Sequence, residues 1–64
     1  MIGKTFKTPR NLVIEVKGGW GAEWLLEVIY GEGAISAGYQ LTTPKVEMNR
    51  LITFKHYTEI KWKS

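Results

Sequence analysis

Cysteine is absent from this chain, and histidine occurs once, at His56. No disulfide and no thiolate metal site can form, and one imidazole cannot build a histidine zinc site. Apolar runs such as Trp24–Leu25–Leu26 are far too short to span a membrane. Met1 to Lys7 holds no apolar run of signal-peptide length. The expectation is a cytoplasmic protein without membrane contact. The six carboxylates are scattered, and no Ser, Thr or carboxylate is spaced to pair with a base. Gly3-Lys4-Thr5 mimics the end of a phosphate-binding loop, but the further Gly five positions upstream is not provided. A domain this small rarely encloses a substrate pocket. The expectation is therefore a non-enzyme with no cofactor and no metal, with His56 structural or at a rim.

What the chain does have is apolar bulk. Its 64 residues are 44% hydrophobic and include three Trp, three Tyr and two Phe. A chain of this length buries only about 60% of its unfolded surface, and large rings bury much area per residue. One small domain over 1–64 is expected. The net charge of +3 is unevenly placed. Lys4, Lys7, Arg10 and Lys17 make the first part basic, Glu23, Glu27 and Glu32 make the middle acidic, and Lys45, Arg50, Lys55, Lys61 and Lys63 make the last part basic again.

Residues alternate with period two over much of the chain, the signature of half-buried strands. Ile2 to Lys7 suits a first strand, and Thr8-Pro9-Arg10-Asn11 has turn chemistry. Leu12 to Lys17 is rich in β-branched residues and reads as a strand. Gly18-Gly19-Trp20-Gly21 reads as a loop in which Trp20 either lids the core or is presented to a partner. Ala22 to Tyr30 fits both a strand, with Trp24, Leu26, Val28 and Tyr30 on one face, and a helix. Val28-Ile29-Tyr30 favours the strand. Gly31-Glu32-Gly33 suits a tight connection, and Ala34 to Thr42 alternates again.

From Lys45 to Lys63 the even positions (Val46, Met48, Ile52, Phe54, Ile60, Trp62) are mostly apolar and the odd ones mostly polar. The pattern predicts an inward even face. Pro44 leaves open one or two helical turns through Arg50, with Thr43 as N-cap. Fully extended, such a stretch would span about 60 Å, about twice the diameter of a compact chain with a radius of gyration near ~11 Å. A break is therefore required, at Asn49–Arg50 or at His56–Tyr57–Thr58.

Short strands, Gly-rich turns and about 60 residues describe an all-β fold, a small barrel of five to six strands with at most one short helical turn. Gly3-Lys4-Thr5-Phe6-Lys7-Thr8-Pro9, followed by a Val/Ile strand, resembles the opening of Src-homology-3-like small barrels. Leu51 to Ile60 resembles their close. Such barrels recur among small proteins of phages and mobile elements. The resemblance implies that the first and last strands pair and bring the two basic ends together.

Two binding functions fit. Nucleic acid could lie on a basic strand face of Lys7, Lys55, Tyr57, Lys61 and Lys63, where lysines neutralise phosphates and a ring stacks on a base. The same lysines also suit a solvated face that deters edge pairing. Alternatively, an inhibitor or adaptor could grip a basic protein through Trp20, Glu23, Glu27 and Glu32.

Overall fold

The computed structural model describes residues 1–31 and 33–62. Five strands, β1 (Thr5–Lys7), β2 (Val13–Trp20), β3 (Glu23–Tyr30), β4 (Gln40–Pro44) and β5 (Thr58–Ile60), form one antiparallel sheet in the order β4-β3-β2-β1-β5. The helix α1 (Lys45–Thr53) joins β4 to β5. The fold is thus β-dominated, and the first strand lies beside the last: Thr5 Oγ1 donates to the Ile60 carbonyl at 2.6 Å.

Cross-strand partners share a face. The Phe6–Ile14–Val28 row therefore points one way, together with Val16 and Leu26. These five side chains and Met48 of α1 are buried and form the core, with Trp24, Ile35, Leu41, Ile52 and Tyr57 packed around them. The rows Ile60–Thr5–Glu15–Glu27–Gln40 and Thr58–Lys7–Val13–Tyr30 point the other way and make the outer face.

Three elements differ from the sequence expectation. The strand β2 continues through Gly18 and Gly19 to Trp20, where a loop was expected. Gly19 pairs with Trp24, whose ring lies where a Cβ on Gly19 would be, so this glycine makes room for an indole inside the sheet. The turn itself is confined to Gly21, at φ 57°, and Ala22. Ala34 to Tyr39 is not strand. Gly33 and Gly38 take φ of 73° and 98° and fold the segment so that Ile35 tucks against the core.

The largest difference lies in Lys45–Thr53, nine residues of helix where the alternation predicts a strand and Pro44 leaves open one or two helical turns through Arg50. Apolar residues at i and i+4 share a face in a strand and also in a helix. Met48 and Ile52 therefore point inward under either period. Val46 and Phe54 do not: they are 74% and 68% exposed, although period two had placed them inside. Pro44, at φ −58° and ψ 140°, occupies the N-cap position that the sequence alternative gave to Thr43. The required break falls at Phe54–Tyr57, where Lys55 adopts φ 61°. The radius of gyration is 10.9 Å, as a chain folded back on itself requires.

Candidate functional site

The residues expected to form one basic strand face are divided by the fold. Lys7 is exposed on the outer face of β1, and Lys61 is exposed just beyond β5. Lys55 lies in the turn after α1, away from any strand. Tyr57 precedes β5 and packs against the core, half-buried, so its ring is no open stacking surface. Lys63 lies outside the described residues. Among the residues of the protein-binding alternative, Trp20 is 59% exposed and sits opposite Glu23 at the β2–β3 tip. Glu27 lies on the outer face and accepts a hydrogen bond from Gln40 Nε2 at 3.1 Å. Glu32 lies outside the described residues.

The outer face carries a different cluster. The rings of Trp62 and Tyr30 meet with centroids 5.5 Å apart, tilted at 44°. Tyr30 is on β3 while Trp62 follows β5, and neighbouring strands lie about 4.8 Å apart. Trp62 therefore reaches back over the outer face toward Tyr30. A concavity of about 580 Å³ results, lined by Lys7, Asn11, Val13, Tyr30, Ile60 and Trp62. A second, of about 480 Å³, lies on the other side of Trp62 and Ile60 and includes Lys61, Lys4 and Glu59.

Charge around these concavities is partly cancelled. Lys4 pairs with Glu59 at 3.5 Å and Lys17 with Glu15 at 3.2 Å. Elsewhere, Arg50 pairs with Glu47 at 3.6 Å, and Lys45 sits 4.4 Å above the Trp24 ring. Among the described residues, Lys7 and Lys61 have no ion pair, and they flank the ring pair on its two sides.

Tyr30 and Trp62 were not legible as a pair. Parity placed Trp62 inside with Ile60, but Ile60 opposes Thr5 and so faces outward. The available signal was Val13, an apolar residue on the outer parity of β2, which is only 3% exposed and so needs a cover.

On the other side of the sheet, burial first and the Glu47 carboxylate second push the Tyr57 phenol above its ordinary value of 10.0. As pH rises through that value the unfolded chain loses this proton first, while the folded chain still holds it. Folding stability therefore falls from about pH 10 upward, until the folded-state phenol also titrates. Urea unfolding at pH ~9 and ~11 should show a loss that is smaller in Tyr57→Phe than in the parent chain. Equal losses in both would contradict the buried setting of this hydroxyl.

Among the described residues, no three His, Cys, Asp or Glu side chains gather as a metal site needs, and no helix is long and apolar enough to cross a membrane. Comparison with protein-family models, with curated proteins and with solved structures finds no match for this chain.

Proposed function

We propose that this chain is a non-catalytic binding module that holds single-stranded nucleic acid on its outer face. The observation that carries this reading is the Trp62–Tyr30 pair, partly exposed and flanked by Lys7 and Lys61, whose ammonium groups have no ion pair among the described residues. An aromatic face stacks on a base of any sequence, and lysines beside it take the adjoining phosphates. A single strand suits this surface better than a duplex, because stacking needs bases that are already splayed. Lys7 and Lys61 belong to the basic set that the sequence predicts; Tyr30 and Trp62, rather than the half-buried Tyr57, supply the stacking surface. The strand order, with first and last strands adjacent and a helical link before the last, supports reading the fold as a small Src-homology-3-like barrel.

Titration of the chain with an oligothymidylate of about ten nucleotides tests this, read by tryptophan fluorescence from low to physiological salt. Binding should weaken steeply with salt, and Lys7→Glu should lower the salt slope. Trp62→Ala should weaken binding by about tenfold, the lower part of the range for one stacked base. Absence of binding at low salt would remove the proposal. A second reading, a protein target gripped at the β2–β3 tip, rests on the exposure of Trp20 beside Glu23. It gains ground if Trp20→Ala alone abolishes recovery of a partner while Trp62→Ala does not.

A further inference from the structure

The core side of the sheet opens at the end where the β1–β2 turn and the β3–β4 connection meet. A cleft of about 270 Å³ lies there. Its floor is Ile14, Leu26 and Val28, and Tyr39 and Tyr57 stand among its walls. Among the described residues, Arg10 is the sole charged residue of the lining and no carboxylate takes part in it. Among the described residues Arg10 has no ion pair. None of these residues lines the concavities around Trp62.

Both flanks of the cleft are held in place. Thr8 is 8% exposed, and its Oγ1 accepts from the backbone N–H of Arg10 at 3.3 Å and of Leu12 at 3.2 Å. The turn that carries Arg10 is thereby fixed, with Asn11 at φ 61° closing it. Opposite, the Tyr39 carbonyl accepts from Val28 N–H and the Gly38 N–H donates to the Val28 carbonyl, both at 2.8 Å. Tyr39 is nevertheless 56% exposed.

We propose that this cleft is a binding site for a small carboxylic acid with an apolar body, aromatic or branched aliphatic. The argument is one of complementarity. An apolar floor rejects polar groups that would lose their hydrogen bonds there. A guanidinium at the rim offers two parallel N–H donors to a carboxylate. The volume lies just below the usual range of about 300–1,000 Å³ for ligand pockets, so the occupant is small. Preorganised turns lower the ordering cost of binding.

Amide-resolved NMR titration of the full chain with phenylacetate and with 4-methylpentanoate tests this, with 2-phenylethanol as the uncharged control. Saturable shifts are expected at Thr8–Leu12, Tyr39–Leu41 and Tyr57, with a Kd of about 1 mM, typical of weak small-ligand binding. The alcohol should bind about tenfold more weakly, and Arg10→Gln should weaken acid binding by a similar factor, as loss of a charge-assisted hydrogen bond implies. Arg50→Gln, which removes the same charge from an exposed position on α1, should leave acid binding unchanged. The proposal is overturned if these amides show no saturable shift, if the alcohol matches the acids, or if the two arginine variants behave alike.

Discussion

Met48→Lys is expected to unfold the protein at room temperature, whereas Val46→Lys should leave its melting temperature within a few degrees of the parent. The two residues are two positions apart and share a parity, so a strand would treat them alike. In the helix, Met48 is fully buried against Phe6, Val16, Leu26 and Val28, while Val46 is 74% exposed. Truncating a buried methionine costs about 2–5 kcal/mol. Placing an unpaired ammonium there costs more, because no partner offsets its lost hydration. A chain of this length has only about 3–10 kcal/mol of stability in total. Lysine at an exposed helical site changes stability by roughly 0.5 kcal/mol or less, and it favours helix over valine. Thermal unfolding followed by circular dichroism distinguishes the two outcomes. Equal damage from both substitutions would restore the strand and remove α1.

The second large effect is expected at Gly31. Its φ is not in the left-handed region, so the requirement is for space. A Cβ there would overlap the Ile35 carbonyl oxygen, and it would stand 3.0 Å from Leu12 Cδ2 and 3.2 Å from Val28 Cγ1. The first of these is backbone, which cannot rotate away. Gly31→Ala should cost about 3 kcal/mol, the upper part of the usual range for overpacking. The melting temperature should fall by roughly 12–24 °C, at 4–8 °C per kcal/mol for a domain of this size. Gly33→Ala provides the contrast. Nothing lies within 4 Å of a Cβ at Gly33, and only its φ of 73° opposes a side chain. That costs about 1–2 kcal/mol, and asparagine, which tolerates this backbone region, should recover much of it. Matching losses at positions 31 and 33 would show that Ile35 does not pack back where the fold places it.

Both results bear on how the binding surfaces are assembled. Gly31 allows the β3–β4 connection to press close, and that connection supplies Tyr39 to one wall of the cleft beneath Arg10. Met48 anchors α1, which carries the chain back toward β5. Through β5 it sets the start of the segment that lays Trp62 over the outer face. Stability variants should therefore be assayed for fold before they are assayed for binding.

The β character of the chain was written locally. Leu12 to Lys17 and Ala22 to Tyr30 contain β-branched and aromatic residues at period two, and they became the two long central strands, each eight residues. Asn11, read as a residue that tolerates unusual backbone angles, takes φ 61°. The need for a break after Pro44 followed from length alone, since an extended tail could not fit a body 29 Å long. What tertiary structure decided was which neighbour each face would meet. Met48 and Ile52 are compatible with strand and helix alike, and only the position of the Phe6–Leu26 side of the sheet selects the helix. The face of Ile60 follows from its register with Thr5, fifty-five residues away. The Trp62–Tyr30 pair likewise joins residues that no local period relates. Periodicity reports the spacing of side chains along one segment. It carries no information about the partner that covers them, and that partner is what turns a stripe into core or into a binding surface.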